Sequence, residues 1–120
     1  MREAKENLLK VKSYAFALRI IGLYKRLTAE LKEYVLSKQV LRSGTSIGAN
    51  ITEANRAQSK MDFVHKLSIA LKEADETEYW INLLRDSEYL TAAQAQSLLD
   101  DCSSLERLLT ASINTAKRNK

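Results

Sequence analysis

Few residues in this sequence have side chains suited to chemistry, and their spacing narrows what they can do. There is one histidine and one cysteine, too few for a Cys/His zinc site or a disulfide framework. His65 follows Asp62 by three residues, the arrangement of half a di-iron centre. A complete centre takes a second carboxylate–histidine pair and further carboxylates facing a bundle core, and a single histidine cannot supply it. Glu73, Asp75, Glu76 and Glu78 crowd one stretch beside Lys72. Such a group serves either acid–base work or a solvated face laced with local ion pairs, and the second is expected here. Cys102 lies in an apolar repeat, which marks a buried thiol and not a nucleophile. Gly22, Gly44 and Gly48 all fall within helical pattern, so they build no phosphate-cradling loop. No catalytic residue, metal ligand or cofactor is expected, and the chain reads as a non-enzyme.

Charge is the second source of chemistry. The 120 residues carry 19 Lys and Arg against 15 Asp and Glu, a formal net charge of +4. The surplus is uneven: residues 1–30 hold 7 basic and 3 acidic side chains, and residues 58–90 hold 4 and 7. Lys5, Lys12, Arg19 and Arg26 step by sevens along the first helix, with Lys25 alongside, and Lys117, Arg118 and Lys120 form a basic tail. These eight are the candidate contacts to RNA or DNA. The alternatives are an ordinary solvated face and, for Lys5, Lys12 and Arg19, ion pairs between subunits. No aromatic–glycine RNA signature accompanies them.

The elements that must position these groups are helical. Proline is absent and glycine occurs 3 times, which leaves a sheet protein of this length without its turns. The fold expected is a single all-α domain over residues 1–120, an antiparallel up-down four-helix bundle with helices at about 4–27, 31–58, 60–87 and 92–117. Ser59 with Asp62, and Thr91 with Gln94, read as capping boxes at two helix starts. The N-terminal stretch is charged throughout and no apolar run is long enough to span a membrane, so a cytoplasmic protein is expected.

The first helix carries two apolar stripes. Leu8, Val11, Ala15, Leu18 and Gly22 share one face; Leu9, Phe16, Ile20, Leu23 and Leu27 share another, more than a quarter-turn away. One bundle core absorbs one stripe; the second set reads either as a widened buried face or as a subunit interface, and the interface is favoured. The second helix repeats Leu36, Val40, Gly44, Ile47, Ile51 and Ala54. Gly44 there marks either close approach of a neighbouring backbone or a local kink. The third repeats Phe63, Leu67, Ala70, Ala74, Thr77, Ile81 and Leu84, and the fourth Ala95, Leu98, Cys102, Leu105, Leu109 and Ala116. Tyr79 and Trp80 lie off the third stripe, where they either cap the core or enter the subunit contact.

Two stretches carry a family resemblance. Leu41-Arg42-Ser43-Gly44-Thr45-Ser46-Ile47-Gly48-Ala49-Asn50-Ile51-Thr52-Glu53-Ala54 resembles the second-helix signature of the 23S rRNA intervening-sequence proteins, the S23-type bacterial four-helix bundles. Ser59 to Phe63, Lys66 to Ala74 and Glu76 to Trp80 are similar to the third helix of that family, and the likeness runs from Tyr14 to Lys117. The resemblance implies a bundle that assembles into a ring-like homopentamer. It also implies kinship with the accessory variability determinant protein of diversity-generating retroelements, which partners a reverse transcriptase and binds nucleic acid through a basic surface. Within the signature, Arg42, Ser46, Asn50 and Glu53 follow at intervals of 4, 4 and 3. This polar stripe is read as interhelical hydrogen bonding that fixes register, ahead of ligand contact.

Overall fold

The computed structural model describes residues 2–119, and their side chains except those of residues 2, 3 and 5. The Lys5 side chain and Lys120, both named as nucleic-acid contacts, lie outside the described residues. Four helices follow one another, α1 (Arg2–Ala29), α2 (Leu36–Ala54), α3 (Lys60–Asp86) and α4 (Ala92–Arg118), with no strand among the described residues. Each helix packs on its neighbour in sequence, and α1 closes on α4 along the narrowest seam. With connections this short, the arrangement is up-down. The rod measures 49 × 22 × 19 Å, the length of a helix of about 28 residues at 1.5 Å each plus its connections.

The α3 stripe is buried at all seven positions, and α4 buries Ala95, Leu98, Cys102, Leu105 and Leu109. Ile113 extends the α4 stripe where the sequence reading moved directly to Ala116, which is only half-buried. At the head of α3 the Ser59 hydroxyl accepts from the Asp62 N–H at 3.0 Å, but the Asp62 carboxylate accepts from Gln58, so the box is not reciprocal. Thr91 and Gln94 complete theirs, each side chain accepting from the other's backbone N–H.

The second helix is shorter than the expected span of about 31–58, starting at Leu36 and ending at Ala54, the two ends of its apolar repeat. Lys32 adopts φ 56°, which breaks the helical path after α1. The Glu33 side chain then reaches forward and accepts from the N–H groups of Val35, Leu36 and Ser37 at 3.1, 3.0 and 2.7 Å. It fills the capping role that Ser, Thr, Asp or Asn usually takes, so no conventional start signal marks this boundary. Burial pushes the Glu33 carboxyl up, but those backbone donors outweigh it and hold the group below its ordinary pKa.

The two α1 stripes differ in burial, and the one expected outside lies inside. Leu9, Phe16, Ile20, Leu23 and Leu27, expected at a subunit interface, lie in the bundle core at 0–8% exposure. The stripe with the bulkier side chains fills the interior. Leu8, Val11, Ala15, Leu18 and Gly22 face outward.

Gly44 is explained by close approach. A Cβ there would stand 2.8 and 2.9 Å from the two γ carbons of Ile20 and 3.2 Å from its Cβ. Ile20 is fully buried, so it has little room to yield. Gly44→Ala should lower the unfolding free energy by about 1–2 kcal/mol, the cost of overpacking less the alanine helix preference. Urea denaturation measures it; an unchanged or higher midpoint would mean that Ile20 gives way freely.

Candidate functional site

The basic seam of α1 lies beside α4, and much of it is engaged there. Lys12 Nζ donates to Ser104 Oγ at 3.2 Å. Arg19 donates to Asp101 at 2.6 Å, to Ser97 Oγ at 2.9 Å and to the Ser97 carbonyl at 3.3 Å. Both residues are exposed, yet their donors bridge the seam where helix contact is thinnest. Of the two, Arg19 forms an ion pair within the chain, whereas Lys12 is held by a serine hydroxyl and has no ion pair with a described residue. Lys25, Arg26, Lys117 and Arg118 have no ion pair with a described residue. Thus the middle of the seam is engaged by α4, while Lys25 and Arg26 at its C-terminal end have no ion pair with a described residue.

The polar stripe on α2 faces α3. Arg42 pairs with Glu73 at 3.2 Å and with Glu76, and Glu53 accepts from Lys66 at 2.8 Å. Ser46 and Asn50 each donate to the backbone carbonyl four residues back. Two of the four residues thus tie α2 to α3, and two bond along their own helix. A further link lies deeper: the Ser43 and Thr77 hydroxyls are 2.9 Å apart. Thr77 also donates to the Glu73 carbonyl at 2.7 Å, which leaves Ser43 as donor across the helices. The indole N–H of Trp80 reaches Glu76 at 2.9 Å. That bond first, with Arg42, holds the Glu76 carboxyl below its ordinary pKa despite burial. Trp80 packs against the core, while Tyr79 is exposed and meets the Trp80 ring edge-on at 5.1 Å.

The remaining carboxylates of the α3 cluster turn toward α4. Asp75 and Glu78 hydrogen-bond Glu106, whose pKa is raised by burial first and by these two neighbours next, to about 8. The Cys102 thiol is fully buried, donates to the Ala74 carbonyl at 3.2 Å, and has its pKa raised by the same burial and acidic surroundings. His65 is exposed. No group of three or more His, Cys, Asp or Glu among the described residues is placed to hold a metal ion.

The acidic trio has a consequence for stability. Glu106 binds its proton more tightly folded than unfolded, so stability falls as pH rises from about 4.5 through about 8. Glu106→Gln should therefore melt higher than the unmodified protein above pH 8, with the gap closing toward pH 5. Thermal melts across that range test this, and parallel curves would contradict it.

The outward face of α1 is the largest feature that sequence reasoning misplaced. Leu8, Val11, Tyr14 and Leu18 are 41, 59, 68 and 54% exposed within three turns. Beside them runs a groove of about 550 Å³ between α1 and α2, walled on the α2 side by Thr45, Gly48, Ala49 and Thr52. These small residues belong to the signature segment and share the groove with residues of α1. Their three- and four-residue spacing was visible in the sequence; it became informative only once the helix beside them was known.

The structure defines an all-helical bundle whose signature residues tie helix to helix and leave an apolar face and scattered cations open. The chain belongs to the 23S rRNA-intervening sequence protein family, whose model matches residues 5–111. It is similar to the crystal structure of a protein of unknown function from the S23 ribosomal protein family of Bacteroides thetaiotaomicron VPI-5482. That similarity is 56% identity with a TM-score of 0.91, covering 92% of this chain and 98% of the other. No curated protein matches the chain. No helix among the described residues is long and apolar enough to cross a membrane.

Proposed function

We propose that the protein is a non-catalytic subunit that assembles with its own copies into a ring and, once assembled, binds nucleic acid. The observation that carries this reading is the exposed α1 stripe, Leu8, Val11, Tyr14 and Leu18, lying beside a groove of small residues. Val11 and Tyr14 also form the α1 wall of that groove, so stripe and hollow make one continuous face, and an apolar face this exposed suits association between copies of the chain. The family resemblance favours closure of these contacts into a ring, a pentamer.

The cations left free suit a polyanion. Lys25, Arg26, Lys117 and Arg118 are too few to bind strongly in one chain, but a ring repeats them on every subunit. Binding should tolerate any sequence and weaken steeply with salt, because each neutralised duplex phosphate contributes about −0.9 to the log–log slope. An accessory role beside a nucleic-acid enzyme such as a reverse transcriptase fits the same surface.

Filter retention of labelled RNA and DNA across a salt series tests the binding. Replacing Lys25 and Arg26 with Gln should flatten the duplex slope by about 1.8. No retention at low salt would leave a purely structural oligomer, the reading favoured by the engagement of Lys12 and Arg19 within the chain.

A further inference from the structure

At the end of the rod that holds both termini, a cleft of about 440 Å³ opens between the α2–α3 connection and the last turns of α4. Its rim carries amide side chains, Asn55, Gln58 and Asn119, while Phe63 and Ala116 contribute apolar lining. The three amides are exposed. Lys60 lines the same cleft, Arg56 sits in the same connection, and Lys117 and Arg118 occupy the final turn of α4. All four cations are exposed, and none has an ion pair with a described residue. The nearby acids differ. Glu53 is paired with Lys66, Asp62 accepts from the Gln58 N–H, and Glu6 lines the α1 side, diagonally across the bundle from α3.

We infer that this cleft holds an unpaired nucleotide of a single-stranded nucleic acid. The inference rests on the nucleic-acid reading above and gives that reading a location. The amides offer donors and acceptors together, which is what the edges of an unstacked base require. The cations on the α3 and α4 sides take the flanking phosphates, away from Glu6. A duplex keeps its base edges paired and stacked, so it reaches the cations but not the cleft. The cleft shares no lining residue with the exposed α1 stripe, so assembly through that stripe does not consume it.

The test measures fluorescence anisotropy of a labelled 15-nucleotide oligouridine and of a duplex of equal length, in low salt and through a salt series. The unmodified protein should bind the single strand more tightly than the duplex. Arg56→Gln with Lys60→Gln should weaken single-strand binding about tenfold and flatten its salt slope by about 1.4. Gln58→Ala with Asn119→Ala should weaken it about threefold without changing the slope, because neutral hydrogen bonds release no counterions. Melting temperature and mass should match the unmodified protein in both variants. If the unmodified protein binds nucleic acid but both variants bind as it does, or the duplex binds as tightly, the cleft assignment is overturned and the broader reading stands. If neither nucleic acid binds, the broader reading fails with it, including where the same cations instead hold phosphatidylserine vesicles.

Discussion

Ile20→Glu should unfold the chain. Ile20 is completely buried, and its γ carbons already stand where a Cβ on Gly44 would collide. Removing a buried isoleucine costs about 2–5 kcal/mol, and a carboxylate left there without a partner costs about 3–5 more. A domain of this size has a total stability of about 5–15 kcal/mol. Far-ultraviolet circular dichroism at 25 °C should show the helical signal lost or its melting midpoint lowered by tens of degrees. A well-folded variant of lower mass would instead restore the interface role first assigned to the Leu9, Phe16, Ile20, Leu23 and Leu27 stripe.

Val11→Glu combined with Leu18→Glu should have the opposite outcome. Both side chains are more than half exposed, so the fold loses little, about 0.5 kcal/mol or less at each site. Self-association should nevertheless be lost, because assembly through this face would bury two unpaired carboxylates in every contact. Sedimentation velocity should give a single folded species at the mass of one chain. Full-size assemblies carrying both substitutions would move the subunit contact off this face of α1. The pair of variants separates the two stripes cleanly, since one breaks the monomer and the other only its association.

The contrast between these stripes shows what the sequence can and cannot specify. Both have the three- and four-residue steps of a helix face, and both are apolar, so periodicity alone leaves their roles interchangeable. Size was the usable signal: Phe16, Ile20, Leu23 and Leu27 fill a core better than Val11, Ala15 and Gly22. On α3 no such ambiguity arises, and the seven-residue rhythm from Phe63 to Leu84 matches its buried face throughout. The start of α2 was illegible for a different reason. Its cap is a glutamate side chain reaching two to four residues forward, and its break is a left-handed lysine, and neither follows the usual residue preferences.

The candidate sites divide along similar lines. Arg42 and Glu53 could be placed on a register-fixing stripe because their spacing alone puts them on one side of α2. Their partners Glu73, Glu76 and Lys66 depend on how α3 lies against it. Lys12 and Arg19 have the spacing of a basic seam, but only the proximity of Ser97, Asp101 and Ser104 reveals that they are engaged. The end cleft draws on the ends of all four helices, and no local pattern joins Gln58 to Asn119.

The central claim is that the outward face of α1 joins copies of this chain, and the mass of the unmodified protein tests it most directly. Multi-angle light scattering at micromolar concentration should give a whole-number multiple of the 13.6 kDa chain, fivefold for the ring. A mass of one chain across that concentration range would contradict the account.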